Sequence, residues 1–471
     1  MQVKKDLSKI EATIIYLAFV IFLSFQYRSS FNREEVLLFI ELLASFVWAG
    51  GLLLLARLRF RLYLFEPLSI ISVLYLSIFV IKPLIDLHNN KLIEHGVRVI
   101  NGGGKATAIF LVGYTIFFIS YYMRHRVIRF GAHITDDPSI GVQPSGNLSQ
   151  LYIAWIMTYI LSVACLLSQG LSLRYIFSFG SDGIREDSGN TALLFLSNFG
   201  ITMLSIWLMI LDKSAKRSVK ILTTVFVLIY VLMRNARWLM LVVIVAPITA
   251  YYTKRKSEPN ILITFILCIA GLTLFAWMQV NRNILYAGGA MQGWGDQGFS
   301  LSILLAPLES DLNTYRTFYA MTQRFPSQYS YMLGKTFLYT FILFVPRAIW
   351  PGKPDNPVRD MIEHSLNKRA RISGTAVANI GEFYANFGIL GVAIGMYLLG
   401  WIASEMKRRL LPISEYYMDE TGNKRLMYAI LFPLCFQWIA RGNFSGNFYM
   451  TIFAVLPFVV SKIRFKKRGV I

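Results

Sequence analysis

Apolar residues along this chain gather into long runs, and shorter polar stretches separate them. A helix that crosses a membrane needs about 20 predominantly apolar residues. Runs near that length fall at 11–27, 35–56, 66–85, 105–123, 149–168, 192–212, 218–235, 237–253, 260–280, 387–405, 426–440 and 446–463. The pattern predicts about twelve spans. Because irregular backbone is unstable against lipid, they would form an all-α, polytopic membrane helical bundle.

The runs divide the chain into three parts. Residues 1–280 hold the first nine predicted spans with short loops. Residues 281–386 form one large loop, and residues 387–471 hold the last three spans and a basic tail. Inside the large loop, the semi-apolar stretch 335–350 ends among several prolines. Since proline interrupts helices, we predict a re-entrant or membrane-surface helix there rather than a full crossing.

The composition supports the membrane class. Hydrophobic residues make up 55% of the chain and charged residues 15%, with a mean hydropathy of +0.51. A soluble domain carries about 25% charged residues, so most of this surface is not built for water.

The net charge of +21 sits mainly in short basic clusters between apolar runs. They fall at 57–61, 124–129, 213–220, 254–256, 407–409 and 466–468. Basic loops beside spans mark the cytoplasmic side of a membrane, so we predict that both termini are cytoplasmic and that the loop 281–386 lies outside. This distribution argues against a nucleic-acid partner.

The sequence offers no pattern for a disulfide framework or a metal. Cys165, Cys268 and Cys435 lie in apolar runs without motif spacing, and the five histidines are scattered. A Gly-rich phosphate loop, an Asp-x-Asp motif in a long outer loop and a zinc-ligand spacing are all missing from the sequence. We therefore predict neither a metal nor a cofactor.

Four arginine sites fall at the predicted outer ends of apolar runs: the turn from Arg234 to Arg237, Arg282, Arg347 and Arg441. An arginine at the membrane boundary is costly unless it is paired, hydrated or used. Each could simply extend to the interface or pair with a loop carboxylate. Together they favour a cationic pocket for a phosphate-bearing ligand, since a guanidinium binds phosphate through two hydrogen bonds.

The outer loop supplies candidate acids and bases. Asp311 lies early in it, His364 later, and Glu382 within one or two turns of a predicted span. A carboxylate at Glu382 could act as general base for a sugar hydroxyl, or as the counter-ion of an arginine. His364 is the only histidine of this loop, and a lone histidine is more often a surface residue than a catalyst.

Two segments resemble the Wzy-type bacterial polysaccharide polymerases, which join O-antigen, capsule or enterobacterial-common-antigen repeat units. They are Pro346-Arg347 with Ile349-Trp350-Pro351-Gly352-Lys353-Pro354, and Gly381-Glu382 with Tyr384, Asn386, Phe387 and Gly388. Arg237 also looks like an arginine that this family places before a span. Arg282 and Arg441 resemble arginines of the enterobacterial-common-antigen branch. The resemblance covers residues 230–445, and the first half of the chain matches only in its succession of spans.

The resemblance implies a GT-C-like, metal-independent glycosyltransferase of the bacterial inner (cytoplasmic) membrane, with its active site on the outer face. Its substrate would be an oligosaccharide repeat unit carried on undecaprenyl pyrophosphate. Beside membrane lipid, the flippase and a chain-length regulator of the same pathway are candidate partners.

The resemblance also suggests roles for single residues. Pyrophosphate would be bound by Arg237, Arg282, Arg347 and Arg441, with Arg234 and Lys353 as helpers. The candidate bases are Glu382, Asp311 and His364, in that order. Tyr384, Trp350 and Tyr315 are candidates for stacking on sugars, although aromatic belts at a membrane interface explain such residues equally well.

Two alternatives stay open at this point. An O-antigen ligase or another lipid-linked-sugar transferase would share the spans and the large outer loop, but the Gly381 to Gly388 motif favours a polymerase. A flippase or transporter for the same lipid would need charges in a central cavity and commonly has repeated halves. No internal repeat is visible here, and the candidate arginines gather on one predicted side.

Overall fold

A computed structural model describes residues 2–60, 62–94, 97–123, 148–167, 191–213, 215–234, 237–255, 259, 312–343, 345, 349–366, 376–411 and 418–461. Its helices are α1 Gln2–Ser24, α2 Arg33–Phe60, α3 Pro67–Leu76, α4 Lys82–His88, α5 Gly103–Met123, α6 Leu148–Leu167, α7 Thr191–Asp212, α8 Arg217–Arg234, α9 Arg237–Arg255, α10 Thr314–Arg324, α11 Lys335–Ile342, α12 Pro357–Leu366, α13 Asn379–Leu410, α14 Met418–Ala440 and α15 Phe444–Val460. A π turn, Ser77–Ile81, joins α3 to α4, and a 3₁₀ turn, Val99–Gly102, leads into α5. Strands β1 Ile93–Glu94 and β2 Val97–Arg98 form one short antiparallel pair.

The structure fits the predicted all-α membrane protein. Its described part is mostly helical, and every predicted apolar run within the described residues coincides with a helix; the run 260–280 lies outside them. Within the described residues, four helical segments are long and apolar enough to cross a membrane: Arg33–Phe60, Pro67–His88, Val99–Met123 and Asn379–Leu410. Shorter apolar helices fall at Ile10–Ser24, Leu148–Ala164, Asn198–Asp212 and Phe444–Val460.

Local sequence signals explain where these helices start and bend. Asn32 accepts the Glu35 N–H at 3.0 Å, and the Glu35 carboxylate accepts the Asn32 N–H at 2.9 Å. This reciprocal capping fixes the start of α2. Between α3 and α4, Pro83 has no N–H to donate to the preceding turn, and the helix widens there into the π turn.

Two compact units make up the chain. Unit 1 contains Met1–Val127, Leu304–Lys407 and Cys435–Ser445, and unit 2 contains Ile128–Ile303, Arg408–Leu434 and Gly446–Ile471. All four long apolar segments belong to unit 1, except for the last turn of α13, which belongs to unit 2. The described part of each unit has its own hydrophobic core.

The core of unit 1 is a column of aromatic rings between α3, α5 and the π turn. Phe79 stacks on Phe110 at 5.2 Å, and Tyr75 contacts Phe79 at 6.0 Å. The buried hydroxyl of Tyr75 is bonded to the Asn379 side chain at 3.0 Å, which satisfies its polar end inside the bundle. Glycine brings α5 and α13 together, because a Cβ at Gly400 would collide with the Phe117 carbonyl.

One end of unit 1 is covered by α10, α11 and α12, which we call the cover segment. Thr322 of α10 donates its hydroxyl to the Gly102 carbonyl at 3.0 Å, and Phe318 packs edge-on against Phe79 at 5.6 Å. At the opposite end, Glu66 accepts Lys407 at 2.6 Å and the Tyr121 hydroxyl at 2.8 Å. The large predicted loop therefore folds, in its described part, against one end of the bundle.

Unit 2 is held by bonds between α7 and its neighbours. Arg425 of α14 forms two hydrogen bonds of 2.8 Å to the Asp212 carboxylate and a third, also 2.8 Å, to the Ala250 carbonyl of α9. Ser205 donates to the Ala454 carbonyl of α15 at 2.8 Å. A buried guanidinium paired in this way ties three helix ends together.

Candidate functional site

Three segments that lie far apart in the sequence meet at the covered end of unit 1. They are the start of α11 with the turn before it, the start of α13, and the turn between α14 and α15. Hydrogen bonds that involve Thr336 of α11, Glu382 of α13 and Ser445 of α15 join the three segments. We call this meeting point the junction. It contains Glu382 and Arg441 of the predicted site, and it lies entirely within unit 1.

Glu382 is buried at the centre of the junction, with 1% of its surface exposed. Its two carboxylate oxygens lie 3.0 and 3.3 Å from the Phe444 amide nitrogen, the first N–H of α15. The Thr336 hydroxyl is a further hydrogen-bond partner. A carboxylate at a helix N-terminus satisfies an open N–H and is stabilised by the helix dipole. Glu382 therefore holds α13, α11 and α15 together.

Asn386 completes the same network from the next turn of α13. Its side-chain oxygen accepts the Gly334 N–H at 3.0 Å, while its amide nitrogen donates to the Thr336 hydroxyl and the Glu382 carbonyl, both at 2.8 Å. The amide thus fixes the turn that leads into α11. Asn386 belongs to the motif that resembles the polymerases, and its role in linking α11 to α13 is a finding of the structure.

A sharp bend follows at Phe387 and Gly388. Gly388 has φ +63° and ψ −146°, a combination that side-chain-bearing residues avoid. A Cβ there would also lie 2.8 Å from the Tyr331 hydroxyl oxygen. Helix α13 begins at Asn379, before the predicted start at 387, because a short helical piece precedes the bend. The Gly381 to Gly388 motif therefore forms a structural joint between this piece and the long apolar part of α13.

Arg441 lies half-buried in the turn between α14 and α15. The next residue, Gly442, donates its N–H to the Val377 carbonyl, and a Cβ at Gly442 would lie 2.8 Å from the Ala378 carbonyl oxygen. Only glycine allows the turn to approach α13 this closely. This docking fixes the backbone that carries the Arg441 guanidinium.

Lys353 is buried and donates its ammonium to the Leu343 and Val345 carbonyls, at 2.8 and 3.0 Å. A cation at these carbonyls stabilises the C-terminal end of α11. The helix ends at Ile342, earlier than the predicted stretch 335–350. Trp350 is 42% exposed, so of the three predicted sugar-stacking residues it is the one with an accessible ring.

The other predicted aromatic residues and the histidine pack within unit 1. Tyr384 is buried and donates its hydroxyl to the Phe325 carbonyl at 3.0 Å. Tyr315 is fully buried as well. A sugar would reach either ring only after its neighbours moved. His364 stacks on Tyr329, with ring centroids 4.3 Å apart.

Several predicted residues fall outside what the structure describes. Asp311, Arg282 and Arg347 are among them. Arg234 ends α8 and Arg237 begins α9, both in unit 2, and their side chains are also outside the description. Convergence of the four arginine sites on one pocket therefore stays a prediction.

A buried ionic cluster, which the sequence analysis missed, joins the cover segment to the bundle. Fully buried Asp86 of α4 accepts Lys82 at 2.6 Å through one oxygen. Through the other it accepts the Tyr315 hydroxyl at 2.5 Å and Arg316 at 2.8 Å. Burial and the nearby Asp86 charge raise the pKa of Tyr315 well above its usual range, so the phenol stays protonated and donates.

A signal for this cluster was present in the sequence. Lys82 and Asp86 lie four residues apart at the end of a predicted span, the spacing that places two side chains on one helix face. Ionisable groups in such a run are rare and are paired or used. Their partner Arg316, more than two hundred residues later, could not be read from that spacing.

Among the described residues, no group of three His, Cys, Asp or Glu side chains is placed to hold a metal ion. No known protein family, curated protein or solved structure matches this chain. The features that bear on function are therefore the helical membrane fold and the residues gathered at the covered end of unit 1.

Proposed function

We propose that this protein is a membrane glycosyltransferase that polymerises undecaprenyl-pyrophosphate-linked oligosaccharide repeat units into polysaccharide. The observation that carries the proposal is the junction. It brings the Gly381 to Gly388 motif, the helix before Lys353 and the Arg441 turn to one place, although about a hundred residues separate the start of that helix from Arg441. The Gly381 to Gly388 motif and Arg441 belong to the resemblance to the polymerases, and Lys353, which belongs to the other motif of that resemblance, is bonded to the end of α11 beside the junction.

The proposal includes an orientation in the bacterial inner membrane. In unit 1, Arg57, Arg59 and Lys407 lie at the end of the bundle opposite the cover segment. Basic residues favour the cytoplasmic side, which would place the cover segment and the junction outside. Both termini would be cytoplasmic, in a GT-C-like bundle of about twelve spans.

In the proposed reaction, the bond between the anomeric carbon of the growing chain and its pyrophosphate breaks. The electron pair leaves with the pyrophosphate, and a sugar hydroxyl of the next lipid-linked unit bonds to the anomeric carbon while its proton passes to a base. Arg441, together with Arg237, Arg282 and Arg347, would stabilise the departing negative charge. Arg234 would assist from its place beside Arg237.

The structure bears on two of the other proposed roles. Lys353 already binds two carbonyls at the end of α11, which favours a positioning role. Glu382 is similarly engaged with α15. Asp311 and His364 remain candidate bases, as alternatives to Glu382.

Two substitutions distinguish a structural role of Glu382 from a role as general base. Glu382→Ala leaves the Phe444 N–H and the Thr336 hydroxyl without their acceptor, which should cost about 1–3 kcal/mol of stability. Glu382→Gln keeps an oxygen acceptor, so we expect near-native stability and continued polymer formation. Thermal unfolding in detergent and gel analysis of the product measure both. A stable Glu382→Gln protein that forms no polymer would instead make the carboxylate the base.

The function itself is tested with purified protein in detergent, mixed with lipid-linked repeat units. We expect a ladder of products whose steps equal one repeat unit. Since detergent leaves no membrane between two compartments, such a ladder excludes a purely transporting protein. Transfer only to an added lipid A core acceptor would identify a ligase. Movement of the lipid across vesicles, with no transfer in detergent, would refute the proposal in favour of a flippase.

A further inference from the structure

Helix α11 has two faces with opposite surroundings. Thr336, Tyr339 and Thr340 lie on one face and are buried. Thr336 bonds to Asn386 at 2.8 Å, and Thr340 bonds to Ser445 at 2.9 Å, so this face is attached to the junction. The backbone of the preceding turn is also bonded to α13, through the Leu333 N–H and the Asn386 carbonyl at 3.1 Å.

The other face of α11 is apolar and exposed. Leu338 is 60% exposed and Phe341 is 80% exposed, and Leu333 in the preceding turn is 72% exposed. Large apolar side chains grouped in this way mark contact with a membrane or another apolar surface. Lys335, at the first position of the helix, is exposed too, which suits a cation near lipid phosphates.

This apolar face continues onto the surface of α13. Phe337 stacks on Phe387 with ring centroids 6.4 Å apart, directly at the bend. Beyond the bend, Ile389 is 58% exposed and Leu390 is 73% exposed, within one of the four segments fit to cross a membrane. The exposed apolar side chains of a membrane-spanning segment face lipid hydrocarbon. The exposed apolar surface of α13 is continuous with that of α11.

Length decides how α11 can meet the lipid. Its eight residues rise about 12 Å along the axis, whereas the hydrocarbon core is about 30 Å thick. Because the face of α11 that carries Thr336 and Thr340 is bonded to the junction, the opposite face points away from the junction, to the side of the bundle. We infer that α11 lies in the plane of the membrane at the covered end of unit 1, with Leu338 and Phe341 in the lipid hydrocarbon.

This membrane contact is independent of the proposed reaction. It resolves the two predicted forms of the 335–350 stretch in favour of a surface helix. The membrane contact of α11 also affects the position of α15, because Phe337 packs edge-on against Phe444, with ring centroids 5.1 Å apart. The start of α15, and with it the Arg441 turn, is thereby held at the depth of the lipid head groups.

The inference is tested by placing single cysteines at Leu338 and Phe341, after replacing the native cysteines, and labelling them with a nitroxide in lipid nanodiscs. Collision with oxygen, which enters hydrocarbon, is compared with collision with a water-soluble nickel chelate. Both positions are exposed, so the labels leave the core intact. We expect an oxygen-to-nickel ratio several-fold higher than at exposed Gln328, and close to that at Leu390.

Two results would overturn the inference. Free access of the nickel chelate to labels at 338 and 341 would show that this face meets water. Shielding from both reagents would show that another protein surface, such as a second copy of the chain, covers it. Activity is not part of the readout, so failure of the proposed polymerase function leaves this test unaffected.

Discussion

Asp86→Ala is expected to lower the free energy of unfolding by about 3–5 kcal/mol, because it leaves buried Lys82 and half-buried Arg316 without their shared carboxylate. The Tyr315 hydroxyl loses its acceptor in the same step. The measurement is the fraction of detergent-solubilised protein that stays monodisperse after heating. We expect a clear drop in the temperature at which half of it is lost.

Matched variants separate the ionic cluster from a general effect of removing an acid. Glu34→Ala removes an exposed carboxylate at the start of α2 and should change stability little. Tyr315→Phe removes only the hydroxyl that donates to Asp86 and accepts from Arg316, and should cost about 1–2 kcal/mol. If Asp86→Ala were as stable as Glu34→Ala, the cluster would not anchor the cover segment.

Arg441→Ala is expected to reduce polymer formation by roughly 10²–10³-fold, the usual cost of losing one donor to a developing negative charge. The single repeat unit on its lipid carrier should accumulate while long chains disappear. This expectation rests on the proposed function and on the docking of the Arg441 turn against α13. The chain-length distribution on a gel, in cells and with purified protein, is the measurement.

Two further variants make the Arg441 result specific. Arg441→Lys keeps the charge but loses the planar pair of donors, so we expect it to recover only part of the activity. Arg409→Ala removes an arginine from α13 at the end away from the junction and should leave chain length unchanged. Normal long chains from a stable Arg441→Ala protein would remove Arg441 from the proposed mechanism.

Much of the helical framework could be predicted from apolar run length, since hydrocarbon thickness dictates it. The π turn before Pro83 and the bend at Gly388 were harder to place. Both depend on the backbone requirements of single residues, which the length of an apolar run does not reveal. The start of α13 was predicted eight residues late, at 387 instead of Asn379, because the short helical piece before the bend contains Glu382 and Asn386 and is not part of an apolar run.

The candidate site was less accessible to sequence reasoning. Local features singled out Glu382, Arg441 and Lys353, and the structure places all three in unit 1 at or beside the junction. Their partners are carbonyls and N–H groups such as those of Leu343, Val345 and Phe444. Backbone partners carry no signature in the sequence, so the attachments that hold these side chains could not be predicted.

The ionic bond between α4 and α10 has a consequence for access. Lifting α10 from the bundle would strip Asp86 of Tyr315 and Arg316 while leaving it paired with Lys82 in an apolar interior. That cost keeps the cover segment attached to this end of the bundle. A molecule that binds between the cover segment and the bundle would then have to enter from the side, which is the direction from which a lipid diffusing in the bilayer approaches.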